Sequence, residues 1–272
     1  MTIDFTSSVL PRHELDRLAR SITGGKAVRY ESGSLDPDEV ERLSSLATRR
    51  LGGEPLQYIE GTVDFGPVEL AVDSRALIPR PETEQLWEQA AMSLGEAGPG
   101  TVIVDLCTGS GALALALKAR FPEARVHATD ISEEAISLAA ENAARLGLDV
   151  ALHHGDLFDA LPSDLCDRID LLVTNPPYVA EGEWPGLPVE IRDHEPRGAL
   201  VAGESGFEFI ERIALDAPWW LGVGGWLFCE IGETQGEAAV GAFGAWLDID
   251  LRRDLAGRDR ILVARKGARC CV

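Results

Sequence analysis

From residue 13 to 51 apolar residues recur at helical spacing, at Leu15, Leu18 and Ile22 and again at Val40, Leu43, Leu46 and Leu51. The spacing predicts two helices with a buried stripe, the second opened by the start signal Asp36-Pro37-Asp38-Glu39. Gly52-Gly53-Glu54-Pro55 ends this helical unit. Between residues 63 and 77 the period changes to short alternating stretches broken at Gly66-Pro67 and Asp73-Ser74, which predicts a β-hairpin. A helix over 81–94 follows, and Glu96-Ala97-Gly98-Pro99-Gly100 reads as a linker.

Beyond the linker the pattern alternates. Residues 101–106, 125–129, 150–154 and 169–174 form β-type runs, with helical runs over 111–120 and 133–146 between them. Strands that are apolar on both faces and joined by helices predict an α/β fold with a mostly parallel sheet. A helix over 207–221 leads into a further buried strand at 226–231. Residues 249–253 and 261–265, with a Gly257 turn between them, close the sheet as an antiparallel hairpin. The chain therefore divides into a helical unit (1–62), a hairpin with its connecting helix (63–98), a sheet domain (99–267) and a tail (268–272).

Composition narrows the function. The chain has 272 residues, 45% of them hydrophobic and 26% charged, as in an ordinary globular protein. With 25 Lys and Arg against 45 Asp and Glu, the formal net charge of −20 disfavours direct nucleic-acid contact and an anionic membrane surface. Five cysteines without a Cys-x-x-Cys pair point to reduced thiols in a cytoplasmic protein. Residues 1–25 carry charges throughout, with no apolar core of an export signal, and no run is long enough for a membrane span. No sequence pattern indicates a metal site, and a monomer is the default expectation.

The candidate chemistry sits at strand ends. The run 102–106 leads through Cys107-Thr108-Gly109-Ser110-Gly111 into a helix, a strand, turn and helix in which a ligand can approach the backbone closely. Asp130 ends the next strand, where a carboxylate can accept from both ribose hydroxyls of a nucleoside. A tight turn with a helix-capping Asp is the bland alternative. Asp156 follows the third strand and can accept from an adenine amine with Leu157 beside the ring, or it can belong to a plain surface turn. His153 and His154 point to opposite faces of a strand and so cannot readily share one metal.

The fourth strand ends in Thr174-Asn175-Pro176-Pro177-Tyr178. Two prolines fix the backbone, so that the Asn175 side chain and the Pro176 carbonyl can both accept at one point, which suits gripping an NH2 group through both hydrogens. Tyr178 can cover one side of the held nitrogen.

Together, 105–113, Asp130 and Asn175-Pro176-Pro177-Tyr178 resemble motifs I, II and IV of class I S-adenosylmethionine-dependent amino-methyltransferases. The stretches Gly53-Glu54-Pro55-Leu56-Gln57-Tyr58, Ile78-Pro79-Arg80-Pro81-Glu82-Thr83-Glu84, Glu195-Pro196-Arg197, Glu230-Ile231-Gly232 and 254–260 are similar to one subfamily, the HemK/PrmC protein-(glutamine-N5) methyltransferases that act on peptide chain release factors. The resemblance implies a Rossmann-like class I methyltransferase sheet with an antiparallel last strand and a small helical N-terminal domain for substrate recognition. It implies S-adenosylmethionine as cofactor, held by Asp105, Cys107, Thr108, Gly109, Ser110, Gly111, Asp130, Ile131, Asp156, Leu157 and Asn175. The substrate amide would meet Asn175, Pro176, Pro177 and Tyr178, with Arg80, Glu82 and Thr83 at the mouth of the site and Glu195 bracing the loop. Asn175, Pro176 and Tyr178 are the catalytic candidates, and release factors the expected partners.

Three features depart from the family pattern. Cys107 stands where glycine is usual, which requires that it keep a negative φ. Leu157 stands where an aromatic often covers the adenine, and the N-terminal unit looks short. Because that unit would choose the substrate, N-methylation of a small amide, amine or guanidine stays open as an alternative. So do a noncatalytic cofactor-binding scaffold and nucleic-acid adenine methylation, the last opposed by the charge.

Overall fold

The computed structural model describes residues 10–23, 35–244 and 247–267; the tail expected at 268–272, with its two adjacent cysteines, lies outside them. Helices α1 (Arg12–Ile22), α2 (Pro37–Leu51) and α3 (Leu56–Glu60) come first. Asp36 caps α2 as its sequence signals: its carboxylate accepts from the Glu39 N–H at 2.8 Å, and Glu39 accepts in return from the Asp36 N–H at 3.0 Å. Leu18, Ala19, Leu43, Leu56 and Ile59 close a small core among the three helices. Strands β1 (Thr62–Phe65) and β2 (Val68–Ala71) form the predicted hairpin, and α4 spans Pro81–Leu94.

The large sheet is built from β3 (Val102–Leu106), α5 (Ala112–Arg120), β4 (Arg125–Asp130), α6 (Glu133–Leu146), β5 (Ala151–His154) and β6 (Ile169–Thr174). After it come β7 (Val179–Ala180), α7 (Val189–His194), β8 (Val201–Gly203), α8 (Glu208–Trp220), β9 (Leu221–Glu230), α9 (Gly236–Phe243), β10 (Leu247–Arg253) and β11 (Asp259–Lys266). Strand order is β10-β11-β9-β6-β3-β4-β5. The pairs among β5, β4, β3, β6 and β9 are parallel, whereas β11 runs antiparallel to both β9 and β10, as expected of the closing hairpin.

Alternation along the strands explains why the sheet is covered on both faces. Ile103, Leu171, Val173 and Phe228 pack under α4, α5 and the hairpin. Their neighbours Val104, Leu106, Leu172 and Leu227 face Ile210, Ile213 and Phe243 of α8 and α9. Among the described strands expected to be buried on both faces, β5 departs, because it is one edge of the sheet and its residues are half-buried or exposed. The short parallel pair of β7 and β8 has no counterpart in the sequence reading: two or three residues carry no period. Among the described residues, no helix is long and apolar enough to cross a membrane.

Candidate active site

The ends of β3, β4 and β6, with the start of α4, surround a cleft of about 240 Å³. This is the carboxyl edge of the parallel strands, where open α/β sheets bind ligands.

The turn after β3 is held from behind. Asp105, fully buried, accepts from the Thr108 hydroxyl at 2.6 Å and the Ala114 N–H at 3.1 Å, lashing the turn to the first turn of α5. Burial pushes its carboxyl up to about 7. Asp105 therefore supports the cleft wall without lining it. Gly111 stands outside the lining too; its φ is +88°, and a Cβ there would come within 2.9 Å of Leu115. Thr108, Gly109 and Ser110 do line the cleft. Asp130 accepts from the Gly109 N–H at 2.8 Å and from the Ser132 N–H at 2.9 Å, one on each oxygen, so both oxygens keep a lone pair for a ligand.

Cys107 corrects the expectation of a negative φ: it is left-handed, at +58°. The Thr108 N–H donates to the Thr129 carbonyl at 2.9 Å, extending the β3–β4 ladder, while the next N–H is committed to Asp130. The chain meets both partners by turning left-handed at 107 and again at Gly109, φ +56°. A non-glycine residue there costs on the order of 1–2 kcal/mol, sustained because the surrounding bonds fix the turn. Contact of the side chain with the core beneath α8 offsets part of that cost. Burial, then the nearby Asp130 and Asp105, raises the thiol well above its ordinary range, so it stays protonated.

Asp156 and Leu157 flank the far side of the cleft. Arg212 donates to one Asp156 oxygen at 2.8 Å, and the other, Oδ1, is buried without a partner. Leu157 is buried with φ +46°. Phe209 of α8 also lines the cleft and supplies an aromatic that the sequence reading missed. Ile131 borders the cleft, exposed, and its carbonyl lies 3.0 Å from His154 Nε2. His153 faces the other way and meets His127 at 3.1 Å, so the two neighbours have separate surroundings as expected.

At the end of β6 the Asn175 Nδ2 donates to the Thr83 hydroxyl at 3.0 Å, and Asn175, Thr83 and Pro177 line the cleft. Among the described residues, no donor meets Asn175 Oδ1 or the Pro176 carbonyl. The Thr83 hydroxyl donates to Glu230 at 2.6 Å, and the Tyr178 hydroxyl donates to the other Glu230 oxygen at 3.2 Å. Burial pushes Glu230 up to about 7, opposed by Thr83 and by Arg260, and desolvation also raises the Tyr178 phenol. Pro176 is buried and Tyr178 half-buried, both behind the lining.

Arg80 does not reach the cleft. It pairs with Glu195 at 2.5 Å, whose second oxygen accepts from the Ile78 N–H at 3.2 Å. Glu195 is buried and tied to the segment before α4, so it is not the solvated turn carboxylate of the alternative reading. Glu82 lies half-buried in the first turn of α4, away from the lining. Gln235 was not singled out for a role, yet it locks the loop: its Nε2 donates to the Tyr178 carbonyl at 3.0 Å and the Gly206 carbonyl at 2.9 Å, and its oxygen accepts from the Gly232 N–H at 2.9 Å. A carboxylate ending an apolar strand is the available signal for Glu230; Gln235 carries no such signal in the sequence.

Residues 90–186 match the Methyltransferase small domain family. The chain is similar to a release factor glutamine methyltransferase of Streptomyces coelicolor, 38% identical over 262 residues that cover 94% of this chain and 91% of that one. One from Bordetella pertussis is 40% identical over 258 residues, covering 93% and 94%. Among solved structures, a 16S rRNA methyltransferase of T. thermophilus in complex with AdoMet and guanosine shares the fold, with a TM-score of 0.53 and 21% identity over 75% of this chain and 49% of that one.

Proposed function

The chain belongs to the release factor glutamine methyltransferases, and from that premise we propose that it methylates N5 of the glutamine in the Gly-Gly-Gln loop of a peptide chain release factor, using S-adenosyl-L-methionine. The observation that carries the reading is Asn175, whose Nδ2 donates to Thr83 so that its oxygen is left to accept, with the Pro176 carbonyl, which meets no donor among the described residues, as the second acceptor of the reading. Two acceptors at one point suit a primary amide, which has two N–H groups to give.

The cofactor supplies an electrophilic methyl group on its sulfonium. The residues present fit it. Asp130 offers an acceptor on each oxygen for the ribose hydroxyls, and the unpartnered Asp156 Oδ1 meets the need of an adenine amine. Leu157 and Phe209 supply apolar surface for the base, and the Thr108 to Ser110 turn takes the methionine end.

An amide nitrogen is a weak nucleophile because its lone pair is delocalised into the carbonyl. Asn175 Oδ1 and the Pro176 carbonyl, accepting its hydrogens, raise electron density on the nitrogen and bind more strongly as positive charge develops there. That is preferential stabilisation of the transition state. Pro177, which lines the cleft, confines the amide while Tyr178 supports the loop from behind, and orientation of this kind is worth up to ~7–11 kcal/mol in well-aligned cases. Arg80 and Glu195 hold the segment that leads into α4, the helix that carries Thr83.

In this reading residues 1–62 recognise the protein substrate, 63–98 join the two units, and 99–267 carry the transfer, in the cytoplasm where release factors act. Arg50 supports a link between recognition and site, since it donates to Glu14 of α1 at 2.7 Å and to Glu190 of α7 at 2.8 Å. The test is transfer from labelled S-adenosylmethionine to purified release factors, followed by mass mapping. Methyl on the Gly-Gly-Gln glutamine, reduced about 10²–10³-fold by Asn175→Ala, is the expected result. Cofactor binding without transfer to any release factor overturns the reading.

A further inference from the structure

Two carboxylates are fully buried at this end of the sheet, Asp105 and Glu230. The first holds the nucleotide turn. The second touches neither the turn nor the cleft, yet both of its oxygens are engaged: Oε2 accepts from the Thr83 hydroxyl at 2.6 Å and Oε1 from the Tyr178 hydroxyl at 3.2 Å.

The direction of these bonds matters. A carboxylate can only accept, so Thr83 must spend its single proton on Glu230. Its oxygen is then left to accept from Asn175 Nδ2, at 3.0 Å. The Asn175 carboxamide is thereby turned with NH2 inward and Oδ1 toward the substrate. The flipped amide would present N–H groups to an NH2 that has only hydrogens to offer, and the grip would be lost. We propose that Glu230 is a positioning residue for methyl transfer: acting through Thr83, it fixes which end of the Asn175 carboxamide meets the substrate nitrogen. The proposal rests on reading the site as a glutamine N-methyltransferase.

Protonation gives the chain of bonds a second state. Facing Glu230 are Thr83 and Glu82 from α4, Tyr178 from the loop after β6 and Arg260 from β11, with Cys229 beside it on β9. Burial raises its carboxyl to about 7, with Glu82 adding to the rise and Arg260 opposing it. A protonated Glu230 can donate to Thr83, which frees the Thr83 proton to go to Asn175 and lets the carboxamide turn round. Turnover should therefore fall as pH drops through that range.

The experiment measures kcat against pH for methylation of a purified release factor by the wild type, Glu230→Gln and Glu230→Met, with folding checked by thermal melts. Glutamine keeps an oxygen to accept from Thr83 but has no proton to gain. Wild-type kcat should fall on the acid side of about 7, and the Gln variant should keep its kcat at higher pH and lose that acid limb. Glu230→Met should lose on the order of 10²-fold in kcat, the cost of a misplaced contact, with cofactor affinity unchanged. Thr83→Val cuts the same chain from the cleft side and carries the test if the Met variant does not fold. An acid limb that persists in Glu230→Gln, or wild-type kcat in the folded Met or Val variant, overturns the positioning role alone. No transfer by the wild type overturns the functional reading and this proposal with it.

Discussion

At Cys107 and Asp130 the residue type and the backbone conformation have to be considered together. Cys107, at φ +58°, occupies a position whose geometry suits glycine. Replacing it tests that directly: Cys107→Gly and Cys107→Ala both remove the sulfur, but only alanine keeps the strain. The Gly variant should be more stable than the Ala variant by about 1 kcal/mol, read by urea or thermal unfolding. An Ala variant equal to or more stable than the Gly variant would place Cys107 outside the left-handed region. Asp130 holds two backbone N–H groups through separate oxygens. In Asp130→Asn one of those positions becomes a donor facing a donor, so the turn and the ribose contact both suffer. Calorimetry should show cofactor affinity falling at least tenfold, the equivalent of ~1.4 kcal/mol. The sequence identified both positions, but the negative φ it required of Cys107 is overturned, because the left-handed turn at 107 is imposed by bonds to Thr129 and Asp130, distant in the chain.

At the scale of elements, the loop after β6 is rigid because other segments clamp it. Gly206, at φ +77°, packs so closely that an added Cβ would lie 2.7 Å from both the Ala180 nitrogen and the Tyr178 carbonyl. Gln235 holds the same carbonyl from the side. Gly206→Ala should therefore push the loop out of register and lower kcat by on the order of 10²-fold, with a smaller effect on cofactor affinity; equal losses in both would point to general unfolding. The hairpin, the connecting helix and the antiparallel closing pair were all legible because each carries its period over several residues. The pair β7 and β8 was not, since two- and three-residue strands arise only when the clamped loop brings them together. Arg80 and Glu82 show the same limit. A stretch that reads as one motif splits by helix geometry, with Thr83 turned to the cleft, Arg80 to Glu195 and Glu82 to neither.

For the molecule as a whole, buried carboxylates tie stability to pH. Glu230 rises from an ordinary 4.5 to about 7 on folding. Between those values the folded state binds more protons than the unfolded one, so this group's contribution to stability falls as pH rises through the interval and levels off above it. Glu230→Gln removes that dependence. Relative to wild type, the variant should gain thermal stability as pH goes from about 4.5 to about 7 and then hold its advantage; a difference that is flat across that range would contradict burial of a titrating Glu230. The net charge of −20 works in the same direction, because self-repulsion grows as carboxylates ionise.

The sequence by itself determined the layered sheet, the strand ends that carry chemistry and the residue types suited to a nucleoside and an amide. These depend on local periodicity and on spacing along the chain, which segments of several residues display. Only the tertiary structure decided that Asp105 and Gly111 stand behind the cleft, that Cys107 is left-handed, that Phe209 faces the space beside Leu157, and that Glu230 governs Asn175 through Thr83. Each of those depends on groups far apart in sequence meeting within hydrogen-bond or packing distance. Thr83 and Glu230 are 147 residues apart, and Asn175 is 92 residues from Thr83. Hydrogen bonds of about 3 Å have a direction that no one-dimensional pattern encodes, and it is fixed only when the sheet brings α4, β6 and β9 to a common edge.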